Sequence, residues 1–158
     1  MTEMIDYPVR FFLDELASKQ GRKAMVLLTD GVDRGSYYTR DHAIEAAQKA
    51  DAIIYSIYCA DDEWGHHDSD RGAQGRNGLE QMSKETGGRV FTVDKKHALK
   101  DVFAEIQDEM RSQYAIGYTP VNTARDGSYR KIEIRTGNKE YKVQARKGYY
   151  ATATGDSE

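Results

Sequence analysis

One cysteine among 158 residues excludes an intrachain disulfide and any CxxC metal site, and two prolines exclude a collagen-like chain. With 39% hydrophobic and 31% charged residues, intrinsic disorder does not fit either. No run approaches the roughly 20 apolar residues of a membrane helix. Met1 to Arg10 lacks the charged, apolar and small-residue order of a secretion signal. No Gly-x-Ser-x-Gly elbow is present and no GxGxxG or Walker loop follows a strand-like run, which removes the hydrolase, dinucleotide and P-loop readings. No internal repeat and no low-complexity linker interrupts the chain. What remains is a soluble globular fold, cytoplasmic for the chain as written and long enough to hide roughly two-thirds of its unfolded surface.

The apolar spacing alternates between two periods. Met4 to Lys19 carries Ile5, Val9, Phe12, Leu13 and Leu16 at helical spacing, with Gly21 beyond it as a cap. Lys23 to Leu28 runs Ala-Met-Val-Leu-Leu without alternation, which predicts a parallel strand buried on both faces and away from a sheet edge. Thr39 to Lys49 fits a helix with Ala43, Ile44, Ala46 and Ala47 inward, and Ala52 to Tyr58 a second parallel strand with Cys59 as a buried core thiol. Ala60 to Gly78, rich in Asp, Gly and His, reads as a long loop. Leu79 to Thr86 gives a short helix, Arg89 to Val93 a third strand, and Ala98 to Arg111 a last helix. This order predicts an α/β fold, a Rossmann-like parallel sheet with flanking helices and right-handed crossovers.

After Ser112 the period becomes two. Tyr114, Ile116 and Tyr118 alternate, and Tyr129 to Thr136 and Lys139 to Arg146 flank Gly137-Asn138, a hairpin signal. A two-residue turn sets Ile134 against Tyr141 and Ile132 against Val143, and opposite charges meet on the other face. The organisation expected is therefore an α/β layer over 1–112, an antiparallel β extension over 113–151 packed on it, and a disordered tail over 152–158. Arg125 to Lys147 holds eight Lys or Arg against three acids, a local +5 that leaves −8 elsewhere. Six tyrosines in the extension, with Arg130, Lys131, Arg146 and Lys147, raise single-strand nucleic-acid stacking. Their alternation favours cross-strand and core packing, so no nucleic acid is expected.

In an open parallel sheet, ligands collect beyond the carboxyl ends of the strands. Asp30 follows the first strand there and is the leading candidate, against the plain reading of a carboxylate closing a turn with Gly31. The neighbouring loop residues Gly31, Asp33 and Ser36, and Trp64, His66 and His67 in the later loop, complete a candidate binding surface. His66, His67 and Asp68 are not a zinc set, because adjacent histidines point apart and lack the i, i+4 spacing of helical ligands.

The run Val26-Leu27-Leu28-Thr29-Asp30-Gly31 resembles the fourth-strand motif of von Willebrand factor A-type domains. Gly21-Arg22-Lys23, Ile54 to Tyr58, Thr86 to Phe91, Ser112 to Tyr118 and Lys147-Gly148-Tyr149-Tyr150 are similar to the A-type-related family of acidobacteria, over most of the chain. The resemblance implies a metal-ion-dependent adhesion site in which Asp30 is the fourth-strand aspartate and Thr2 the loop threonine, with Mg2+ as the ion and a protein partner offering an acidic residue. The family's Asp-x-Ser-x-Ser motif does not occur here, so most of the ligands are absent. Thr2 also suits a helix N-cap. Family members commonly work outside the cytoplasm, so a parent of which this is a fragment is expected to be secreted.

In an A-type sheet the fourth strand is central. Without an upstream segment, Ala24 to Leu28 becomes an exposed edge, which predicts a homo-oligomer or a missing N-terminal half, unless the helix Met4 to Lys19 covers it. Three readings of function follow: a protein-binding module with a residual divalent-metal site, a metal-free structural or assembly module that associates through that edge, and a phosphotransfer-type enzyme using Asp30. Without a second acidic pair and a partnering lysine in order, the third is weakest, and no covalent catalysis is expected.

Overall fold

The structure, a computed structural model, describes residues 6–29, 40–59, 69–94 and 97–152. Its elements are α1 (Asp6–Ala17), β1 (Lys23–Thr29), α2 (Arg40–Lys49), β2 (Ala52–Cys59), α3 (Ser69–Thr86), β3 (Val90–Val93), α4 (Leu99–Arg111), β4 (Tyr129–Lys131) and β5 (Gly148–Tyr150). The fold is α/β. β1, β2 and β3 form a parallel sheet in that order, and β4 and β5 form a separate antiparallel pair.

Period-two alternation in β2 divides the core between the two faces of the sheet. Ile54, with Met25 of β1, packs against Leu13 of α1, Ala47 of α2 and Met82 of α3. On the other face Tyr55 and Ile57 pack with Phe91 of β3 against Val102 and Ile106 of α4. The connecting helices α2 and α3 share one face, as successive crossovers of one hand require. Buried hydroxyls fix α3 on the sheet: Ser56 and Ser83 share a hydrogen bond at 2.9 Å, and Thr86 Oγ1 accepts the N–H of Ile54 at 3.0 Å while donating to the Met82 carbonyl at 2.9 Å. Gly87, at φ +92°, closes α3: its N–H reaches the Lys84 carbonyl and the Gly88 N–H the Ser83 carbonyl, the paired bonds of a glycine C-cap.

Three expectations change. The segment taken as loop up to Gly78 is helical from Ser69, although Gly72, Gly75 and Gly78 each cost roughly 1 kcal/mol relative to alanine. Packing outweighs that cost. Gly78 is buried beneath the guanidinium of Arg40, which a side chain at 78 would displace, and Arg40 Nη1 donates to Gln81 Oε1 at 2.9 Å.

β1, expected to be buried on both faces and away from an edge, has β2 as its one strand partner among the described residues. Met25 is buried, but Val26 and Leu28 on the opposite face are 38% and 55% exposed. α4 covers that face over β2 and β3 and stops short of them. α1 packs on α2 and β2 rather than along the open edge.

The hairpin is also displaced. Tyr129 pairs with Tyr150 and Lys131 with Gly148, and the N–H of Ile132 reaches the Lys147 carbonyl where Val143 was the expected neighbour. The turn centre thus moves from Gly137-Asn138 to Lys139-Glu140. An even slip keeps each side chain on its face, so the alternation cannot distinguish the two registers. Gly148 decides: the Tyr129 ring occupies the space a side chain there would need. Asn138 still turns the chain, its Oδ1 accepting the Glu140 N–H at 2.9 Å.

Candidate functional site

The three parallel strands end almost level. Thr29 lies opposite Tyr58, and Cys59 opposite Val93. The segments 30–39 and 60–68 and the turn into α4 therefore leave from neighbouring points along one end of the sheet, where open parallel sheets bind ligands.

The opposite end is closed by the extension. Arg146 pairs with Asp51 at the start of β2, and the Lys147 N–H reaches the Glu85 carbonyl near the end of α3 at 3.1 Å. Gln144 reaches Glu109 of α4 at 3.2 Å, and Gln113 donates to the Tyr55 hydroxyl at 3.3 Å. Gly87 admits the Arg146 backbone so closely that a side chain there would sit 2.7 Å from its nitrogen.

Thr2, Asp30, Gly31, Asp33, Ser36, Trp64, His66 and His67 all lie outside the described residues. The structure describes the strands that lead into two of the segments that hold them. Thr29 directly precedes Asp30, and Cys59 directly precedes the segment that holds Trp64 and both histidines. Cys59 is half-buried rather than the buried core thiol expected.

Two polar residues at this end escape a reading of the sequence, Asp94 and His97. Asp94 Oδ1 accepts the His97 N–H at 2.8 Å and lies 3.4 Å from His97 Nδ1, while the Asp94 N–H reaches the His97 carbonyl at 3.2 Å. The signal is present, because Val93-Asp94 repeats the arrangement of Thr29-Asp30, an acid directly after a parallel strand. Here the acid closes the turn into α4, the ordinary use of aspartate in a tight turn. Among the described residues no group of three or more His, Cys, Asp or Glu is placed to hold a metal. Asp94 and His97 alone fall short of the six oxygens that Mg2+ prefers.

The perturbed titrations lie away from this end. Burial raises the Tyr55 hydroxyl above its ordinary value. In the extension, the hydrogen bond between Tyr118 and Tyr149 raises the first and lowers the second. The Ser128 hydroxyl and N–H hold the Asp126 carboxyl below its usual range, with both bonds going to Oδ1. These shifts follow from turns and ring pairs and mark no catalytic constellation. The tyrosines expected to pack do so in part: Tyr129 meets Tyr150 at 5.3 Å and Tyr118 meets Tyr149 at 6.4 Å between ring centres, while Tyr114 and Tyr141 are exposed. Among the described residues no helix is long and apolar enough to cross a membrane. No family model, no curated protein and no solved structure matches this chain, so the reading of its function rests on its own residues.

Proposed function

We propose that the chain is a protein-binding module of von Willebrand A-type descent, whose contact face is the carboxyl end of the parallel sheet around Asp30 and the segments 31–38 and 60–68. One observation carries this reading. The extension closes the amino end of the sheet, and β1 and β2 end almost level at the other, where the chain leaves both strands into the polar segments 30–39 and 60–68. Adjacent loops on a rigid parallel sheet are a common way to build a recognition surface. The function is binding rather than covalent chemistry. Thr2 and Asp30 supply one hydroxyl and one carboxylate, so Mg2+ would need water and an acidic residue of the partner to complete its six oxygens.

A second reading is favoured by β1, whose open edge and exposed Val26 and Leu28 suit association with another copy or with an upstream segment. Calorimetric titration of Mg2+ and Mn2+ into the chain and into Asp30→Ala, with mass read by light scattering, separates the two. Heat that disappears in the variant supports the adhesion-type site. No heat in either protein, together with a mass above the monomer, supports the metal-free assembly module.

A further inference from the structure

Among the described residues the extension holds more exposed large apolar side chains than the layer it packs on. Of twelve large apolar residues that stand exposed among the described ones, eight lie beyond Ser112, including Tyr114 at 93%, Ile116 at 72% and Tyr141 at 68%. Singly, exposed apolar residues are ordinary, whereas a patch of them rimmed by charge marks an interaction site.

The backbone points the same way. Among the described residues, 113–119 and 142–146 make no backbone-to-backbone hydrogen bond, although both segments carry strand-like alternation. Unpaired backbone beside alternating apolar side chains is a template for strand addition. We propose that segments 113–119 and 142–146 form a docking edge for an extended acidic polypeptide, which adds to the extension as a β-strand.

Charge selects that occupant. The extension holds eight Lys or Arg against three acids, and Lys131, Arg135, Lys139 and Lys142 are exposed. A second copy joined extension to extension would set +5 against +5, whereas acids on alternate positions of a partner strand would face these cations and leave its apolar residues to Ile116, Tyr141 and Val143. A nucleic-acid strand fits less well, because aliphatic Ile116, Val121, Ile134 and Val143 offer no stacking plane and Glu133 and Glu140 stand among the cations. The surface is independent of Asp30, since the extension packs at the other end of the sheet.

The test uses the whole chain and a synthetic peptide of alternating Val and Glu, about ten residues long, the upper end of ordinary strand length. A Val–Lys peptide, oligoglutamate and oligothymidylate serve as controls, with calorimetry at low and high salt and backbone amide exchange as readouts. The Val–Glu peptide should bind and slow exchange within 113–119 and 142–146 without slowing β1. The double variant Arg135→Glu/Lys142→Glu should weaken it about tenfold, an effect that salt diminishes. Val143→Pro, which removes a backbone donor at an exposed position, should abolish protection while the far-UV circular dichroism of the α/β layer is retained. Equal binding of the Val–Lys peptide, equal binding of oligoglutamate or oligothymidylate, protection confined to β1, or saturation of the edge by self-association would each overturn the proposal.

Discussion

The α/β layer and the extension draw on the same kinds of residue and hide them to opposite degrees. Among the described residues, fifteen of the sixteen buried apolar ones fall before Ser112, and Ala151 is the sixteenth. The extension instead holds most of the exposed ones, and polar ties such as Arg146 with Asp51 and Gln144 with Glu109 attach it. A parallel sheet with crossover helices covers its own strands as it is built, because each connection lays a helix on a face. An antiparallel ribbon has no such helix and covers one face at most, leaving its other face and its edges to whatever lies beside it. Stability should therefore reside in the layer and tolerance to change in the extension.

The most direct way to break that contrast is a matched pair of truncations. Ile57→Ala, at a fully buried site, should cost about 2–5 kcal/mol, and Ile116→Ala less than about 0.5 kcal/mol, both read from urea unfolding. Equal costs would mean that the extension is part of the core. Next come two glycines with positive φ. Gly21→Ala and Gly87→Ala both force an L-residue into the left-handed region, at about 1–2 kcal/mol, but only Gly87 also has the Arg146 backbone against it. Gly87→Ala should be the more destabilising and should speed amide exchange at Lys147. If the two variants behave alike, the extension does not press on the layer at that point.

An effect of similar size is expected at the hydroxyl pair. Ser56→Ala leaves the Ser83 hydroxyl buried without its partner, at about 1–3 kcal/mol, and the double change to alanine should recover part of that loss. The smallest concerns pH. Burial raises the Tyr55 hydroxyl above its ordinary value of 10.0, with the hydrogen bond from Gln113 opposing. The stability tied to that proton is fully present below pH 10 and is lost as pH climbs from there through the raised value, because the unfolded chain releases the proton first. Tyr55→Phe should therefore flatten the fall in Tm above about pH 10, measured against the parent chain at matched ionic strength.

Much of the layer is legible in the residues alone. Ile53 to Ile57 holds almost nothing but apolar side chains, and β2 is covered on both faces as such a run suits; Val102 and Ile106 recur at helical spacing, and both are buried on the sheet. The glycines at 72, 75 and 78 mislead, because the loop signal they carry is local while the reason for Gly78 is Arg40, far earlier in the chain and across a helix interface. The hairpin misleads for a different reason, since both registers obey the same alternation and the deciding contact, Tyr129 over Gly148, joins residues distant in the chain. Of the candidate site, Asp30 stands out by its place after a strand, whereas Asp94 escapes notice although it obeys the same rule.

Residue order alone fixes the succession of helices and parallel strands and the inward side chains of α2 and α4, because periodicity is a property of neighbours along the chain. It also determined the charge division between extension and layer, since charge is counted without coordinates. The start of α3, the register of the ribbon and the end of the sheet that the extension closes emerge only in the folded chain. Those outcomes depend on contacts between residues far apart in the chain, whose energies no local pattern carries.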